Sequence, residues 1–505
     1  MFRSAPTDRF YIFVLVFAFL LPANLYANQQ DEPLVHVRLM RDISPRTIVV
    51  SSNQTAGLFS GDMNNPIAQL PLGEKLTLTT SNNQVYLRLS EGGIYARSVF
   101  LQQQPDAEIT LEVAEAQTIV SSRTYKGNLM VQVDPATPST LSIINGVGMN
   151  DYVESVLSSE FNFRELEASK AVAVSIRTLA HRQLENQHGP EFAIPDNEMW
   201  QVYEGTGMIT STVRDAVRET SGEVLRFNGE LIEAVYFASS GGRTANNEDV
   251  WNASKVQPYL RGKEDPYDYN SPHHNWEKTI SRDRLLGMLS DKYRFNVTGI
   301  RILNRSRDGR VRTMGIEGDG QQEEIQSNAF RLLVNNEFGR ETLKSTFFDV
   351  NVQPSIYIFT GKGFGHGVGL NQWGALQLSK KGNLHDEILA YYYTDVQLDR
   401  AGLGSQLLTA SNTLPTQNGP RFNENYSPII EASSTGNDVQ TIYGEPASND
   451  VAAGLFGDDD IAIEQAEEEK PRRRFRLLRN RDKSENDSEP KNKTPLRHTG
   501  KRIGW

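Results

Sequence analysis

Glycine occupies every second position at Gly361, Gly363, Gly365, Gly367 and Gly369 in "GKGFGHGVGLNQWGA", a pattern that few backbone arrangements satisfy. A phosphate or dinucleotide loop requires a different spacing and a helix N-terminus facing the anion. In an extended chain, residues two apart face the same side. The five glycines would then leave one face bare, while Lys362, Phe364, His366, Val368 and Leu370 line the other. Such a run is expected where another backbone or a ligand approaches closely. Two readings follow: the floor of a groove for an extended polymer bordered by the His366 imidazole, or a structural strand under a helix with a buried histidine. Asn371 is placed to cap the following helix, "QWGALQLSKK", which Gly382 ends.

Upstream, the chain reads as two regimes. Short strands with period-2 alternation, among them "VHVRLM", "TIVVSS", "KLTLTT" and "QVYLRL", continue through "GNLMVQVDP" and "TLSIING". At about Gly148 the period changes. "MNDYVESVLSSEF" places Met149, Tyr152, Val153, Val156, Leu157 and Phe161 on one helical stripe, with Asn150 or Asp151 as the start signal. Glu160 lies at +7 from Val153, +4 from Val156 and +3 from Leu157, so its carboxyl falls on the apolar stripe. Loss of solvation there raises a carboxyl pKa, as a general acid for glycosidic cleavage requires. The alternatives are a glutamate at a frayed helix end, or a buried one paired with an arginine such as Arg177.

An alanine-rich helix, "ELEASKAVAVSIRTLAHRQLENQ", follows. "GEVLRFNGELIEAVYFASSGGRT" then reads as a hairpin turning at Asn228-Gly229 and running into a Ser-Gly-rich turn. That turn, with Ser239, Ser240, Gly241, Gly242 and Thr244, offers hydroxyls and amides to sugar hydroxyls. No G-x-S-x-G elbow supports a serine nucleophile. Trp373 and Tyr391, Tyr392 and Tyr393 add aromatic surface suited to sugar rings. His273 and His274 have no metal-ligand spacing, so neither metal nor cofactor is expected.

Composition narrows the classes. Cysteine is absent, which excludes disulfides, thiolate nucleophiles and thiolate zinc sites, and the net charge of -11 disfavours nucleic acid as a partner. Arg3 and Arg9 precede the apolar run 10–23, with a cleavage point after Ala23 or Ala27. This reads as an export signal, or as an uncleaved anchor because Leu25 and Tyr26 make a poor cleavage context. Beyond about Leu408 the chain is polar, with an acidic block and then the basic "KPRRRFRLLRNRDK". It is expected to be disordered, with the basic block either a solvated charge run or a contact for an anionic envelope surface.

Three stretches carry a resemblance. "GKGFGHGVGLNQWGALQLSKKGNLHDEILAYYYTDVQL", "MNDYVESVLSSEFNFRELEASKAVAVSIRTLAHRQ" and "YFASSGGRTANNEDVW" with "PYLRGKEDPYD" together resemble the SpoIID/LytB family of stage II sporulation protein D and amidase enhancers. The resemblance implies binding to peptidoglycan glycan strands. For its sporulation members it also implies a lytic transglycosylase reaction that leaves 1,6-anhydro-N-acetylmuramic acid ends. The family's catalytic glutamate falls on Glu160. The substrate-binding candidates are Arg177, Ser239, Ser240, Gly241, Gly242, Thr244, Gly365, His366, Gly367, Gln372, Trp373 and Tyr392. The other branch implies a non-catalytic glycan binder that stimulates an N-acetylmuramoyl-L-alanine amidase, with that amidase as partner. Some members hold zinc by cysteine and histidine near the Ser-Gly-Gly segment; Phe237 and Ala238 stand in that neighbourhood here.

These readings predict an α+β chain. A signal peptide spans 1–27, a small β-rich domain 28–125, a mixed α/β SpoIID-like core with a groove 126–405, and a disordered tail 406–505. The protein is expected to be exported, to a periplasm or an outer wall.

Overall fold

The computed structural model describes residues 34–407, apart from 62–65, 90–91, 116–117, 187–192, 198–199, 252–254 and 401–403. The expected signal peptide at 1–27 and the expected tail beyond Leu407 lie outside the described residues. Alternation is realised strand by strand: in Val35–Leu39 the odd-numbered residues are buried, and in Thr47–Ser52 the even-numbered ones are. One sheet of seven strands has the order Ile194–Pro195, Val35–Leu39, Leu141–Val147, Asn128–Val133, Ser98–Gln102, Ala56–Ser60, Pro66–Leu70. A second, of six, has the order Thr118–Lys126, Glu108–Glu115, Thr47–Ser52, Leu76–Ser81, Gln84–Leu89, Gly92–Ala96. Inward residues of both sheets belong to one apolar core.

This β assembly runs past the division expected between 125 and 126. Asn128–Val133 pairs with Ser98–Gln102, and Leu141–Val147 pairs antiparallel with Val35–Leu39 in the register Val35 to Val147. Strand gives way to helix at Gly148, and among the described residues only the two-residue strand Ile194–Pro195 joins these two sheets from beyond it.

Eight α-helices occur among the described residues: α1 (Met149–Glu160), α2 (Leu166–Asn186), α3 (Ser211–Glu219), α4 (Asn247–Trp251), α5 (Arg282–Tyr293), α6 (Ser327–Phe338), α7 (Gln372–Lys380) and α8 (His385–Tyr392). Helix α1 forms as its stripe predicts, with Tyr152, Val153, Val156 and Leu157 fully buried. Helix α2 carries Ala168, Ala171, Ala173 and Ala180 inward, and these small side chains let α1, α3, α7 and α8 all pack on it. A second core, built on Leu285, Leu289, Met314, Ile316, Phe330 and Phe359, comes from the stretch of sequence between the Ser-Gly-Gly turn and the glycine run. It joins α5 and α6 to two three-stranded sheets. At the far end, Gly404–Leu407 pairs with Gln397–Arg400 at the edge of a separate four-stranded sheet, so paired strand continues across the expected start of the tail at 406.

Candidate functional site

Glu160 is the last residue of α1 and is 7% exposed. One carboxyl oxygen accepts a hydrogen bond of 2.6 Å from the Val202 amide, and the Tyr236 hydroxyl donates to the same carboxyl. Both bonds favour the carboxylate. Burial opposes them and prevails, pushing the group up from its ordinary 4.5 to about 7. The proton is therefore held by desolvation, and its position is fixed by an oriented chain. Tyr152 donates to Gln201 Oε1 at 2.8 Å, and Gln201 Nε2 donates to the Tyr236 oxygen at 3.1 Å. With its oxygen occupied as acceptor, Tyr236 directs its own proton to Glu160.

The glycine run comes to the other side of Tyr236. His366 Nε2 lies 2.9 Å from the Tyr236 carbonyl, and His366 Nδ1 accepts from the Val368 amide at 3.1 Å. The imidazole is thus neutral with its proton on Nε2. Burial, aided by the charges of Arg331 and Arg310, lowers it to about 4, so it stays neutral near pH 7. His366 contributes position and surface, with its ring 5.5 Å from Phe237 and 5.2 Å from Trp251.

The run itself is not the flat strand expected from its spacing. Gly363, Gly365, Gly367 and Gly369 all have positive φ, between 73° and 99°, so every second residue takes the left-handed region. The close approach is real. A Cβ on Gly363 would meet the Ser239 carbonyl oxygen at 2.6 Å, and one on Gly369 would meet the Val235 carbonyl oxygen at 2.1 Å. The partner backbone is the segment from Val235 to Gly241, and Tyr236–Phe237 pairs in parallel with Leu370–Asn371. The run therefore anchors Tyr236 from behind, and its bare positions are filled by protein, Gly367 by the Arg310 guanidinium.

Several candidates have other tasks. The Ser-Gly-Gly turn wraps the fully buried Asp268: Ser239 Oγ donates at 3.0 Å, and the Ser240 and Gly241 amides donate at 2.9 and 2.8 Å. His274 and Asn371 complete the cage at 3.0 Å each. These donors are spent inside the chain, as is Thr244, which exchanges bonds with Lys263. Gly242 donates to Ser240 Oγ at 3.1 Å. The Asn371 side chain bonds Asp265 and Asp268 and makes no cap for α7. Burial pushes Asp265 up to about 6, and Tyr392 is 1% exposed with its hydroxyl 3.3 Å from that carboxyl. A sugar cannot stack on it.

Arg177 is fully buried and bonds Thr220, Glu223 and Asn150 at 3.3 to 3.4 Å. Asn150 is in the first turn of α1, ten residues and roughly 15 Å along the helix from Glu160. The arginine locks helices together and neither pairs with Glu160 nor reaches a ligand. Gln372 does reach the site: its Nε2 donates to the Glu160 carbonyl at 3.2 Å, joining the ends of α1 and α7. Trp373 is 3% exposed and stands edge-on to Phe163 at 5.4 Å, closing the apolar side of the same junction.

The structure thus gathers Glu160, His366, Gln372 and Trp373 and adds Tyr236, Gln201 and Val202, which sequence reasoning missed. Tyr236 is the first residue of the quoted "YFASSGGRTANNEDVW" stretch but was not singled out within it. Gln201 and Val202 carry no periodic or motif signal.

Two stretches of the chain match known families. Residues 137–227, which contain α1 and α2, match the family described as Stage II sporulation protein, and residues 246–369 match a domain of unknown function. The chain is 28% identical to Stage II sporulation protein D of Bacillus subtilis over 59% of its own length and 89% of that protein. It is 29% identical to an uncharacterised protein of Brachyspira hyodysenteriae over 64% of this chain and 82% of that one. It is also 28% identical to the Amidase enhancer of Bacillus subtilis, over 46% of this chain and 38% of that protein.

Proposed function

We propose that this chain, whose residues 137–227 carry a Stage II sporulation protein domain and whose motifs resemble the SpoIID/LytB family, works on the cell wall as a lytic transglycosylase of peptidoglycan glycan strands. The observation that carries the reading is a single carboxyl, Glu160, buried, half-protonated near pH 7 and oriented by Val202 and Tyr236. A general acid works best with a pKa near the operating pH.

Glu160 gives its proton to the glycosidic oxygen following an N-acetylmuramic acid unit as the C1–O bond breaks. The carboxylate left behind takes the proton of that sugar's C6 hydroxyl while O6 bonds to C1, giving the 1,6-anhydro ring. Glu160 ends reprotonated, no water is consumed, and one carboxyl serves where hydrolytic glycosidases use two. The bonds from Val202 and Tyr236 strengthen as the carboxylate forms, which lowers the barrier to the first proton transfer.

A second reading rests on the similarity to an amidase enhancer: a glycan binder that presents strands to a cell-wall amidase without cutting them. Both readings place the protein outside the cytoplasm, as the apolar run at 10–23 suggests. Digestion of purified glycan, with mass detection of 1,6-anhydro ends, separates them.

A further inference from the structure

Trp251 is an exposed tryptophan at the end of a short helix whose first turn is held by ion pairs and hydrogen bonds. It is 40% exposed, at the end of α4. Arg261 clamps that helix through a paired interaction with Glu248 at 2.7 and 2.8 Å and a bond to Asn247 at 2.8 Å. Arg312 lies 3.6 Å from Asp249, and Asn246 bonds Asp249 at 2.9 Å. Exposing a large aromatic forfeits burial energy, and fixing its helix costs entropy, so an exposed tryptophan on a clamped helix points to a ligand.

Its ring lies 5.2 Å from His366, at 46° to it, and His366 is tied through Tyr236 to Glu160. Helix α6 packs on α4 and carries Arg331. Nε of Arg331 donates to Asn328 at 3.1 Å, and no ion pair with a carboxylate occurs at Arg331 among the described residues. Burial alone pushes its guanidinium down to about 10, and its charge reaches His366. An unneutralised, partly buried arginine favours an incoming anion, and a planar guanidinium matches a carboxylate.

We propose that Trp251 and His366 form an aromatic ledge for the face of one pyranose ring, and that Arg331 seats a carboxylate carried by that sugar. This rests on the reading of the chain as a glycan-strand protein and extends it, since all three side chains come from the segment matched by the domain of unknown function. The carboxylate has two sources in peptidoglycan: the lactyl group of muramic acid stripped of peptide, and the acidic residues of an attached stem.

The test measures affinity calorimetrically with the Glu160→Gln protein, so that nothing is cut. Three probes are used: a neutral N-acetylglucosamine oligomer, a peptide-free oligomer containing N-acetylmuramic acid, and the same oligomer bearing stem peptides. Trp251→Ala should weaken all three about tenfold, the size of one good aromatic contact, and Trp251→Phe should restore most of it. Arg331→Gln should weaken one or both acidic probes about tenfold and leave the neutral one unchanged. Loss from one acidic probe identifies that carboxylate as the source, and loss from both shows that Arg331 accepts either. If the parent binds glycan and Trp251→Ala binds equally well, or Arg331→Gln weakens the neutral probe as much as the acidic ones, the ledge is overturned and the glycan-strand reading stands. If the parent binds none of the probes, that reading falls and the ledge with it.

Discussion

Tyr236 touches both halves of the site: its hydroxyl donates to the Glu160 carboxyl, and its carbonyl lies 2.9 Å from Nε2 of His366. A glutamate at a helix end and a histidine in a glycine run are thereby joined through one residue on a two-residue strand, Tyr236–Phe237.

Tyr236→Phe removes a donor that favours the Glu160 carboxylate. Burial then acts with less opposition, and the carboxyl pKa rises further above about 7. Loss of a charge-assisted bond of about 1.4 kcal/mol corresponds to roughly one unit. The alkaline limb of kcat/KM against pH, which reports loss of the acid in the free enzyme, should move upward by up to about one unit. A lower rate with an unmoved limb would mean that Tyr236 serves packing alone.

Keeping Glu160 buried costs stability, with a definite pH window. Its pKa is raised from 4.5 unfolded to about 7 folded, so between those values the folded chain binds the extra proton. Stability is fully present below pH 4.5 and falls as pH rises towards 7, by roughly 2–3 kcal/mol from this group. Glu160→Gln keeps an acceptor for Val202 and carries no charge. It should match wild type in urea unfolding at pH 4.5 and exceed it at pH 8. Equal stability at both pH values would show that the carboxyl is well solvated.

The glycine run makes a sharper demand at some positions than at others. Gly369 has φ 80° and its Cβ would fall 2.1 Å from the Val235 carbonyl oxygen, whereas Gly382, with φ 91°, has nothing within 4 Å. Gly382→Ala should cost about 1 kcal/mol, the price of the left-handed conformation alone. Gly369→Ala must also push two backbones apart, and should lower Tm well beyond that or abolish folding. Equal Tm losses would contradict the close approach.

What could be read from the sequence follows from the range of the forces involved. Helix α1 and the direction of Glu160 were legible because a 3.6-residue period is local, and the Asn228-Gly229 turn because both residues take positive φ, at 52° and 85°. The glycines announced close approach but not conformation, since alternating glycine suits an extended ribbon or an alternately left-handed one, and only the segment beginning at Val235 decides between them. The Ser-Gly-Gly donors plainly required an acceptor. That the acceptor is Asp268 of the same chain and not a sugar depends on a fold-level juxtaposition. Arg177 was open to misreading for the same reason: it sits on a neighbouring helix, but against the wrong end of α1.

The most direct test is mass spectrometry of purified glycan strands incubated with the wild-type protein and with Glu160→Gln. 1,6-Anhydro-N-acetylmuramic acid ends are expected from the wild type and none above background from the variant, with unchanged glycan binding by both. Strands bound by wild type but left uncut, or cut equally by Glu160→Gln, would contradict the transglycosylase reading.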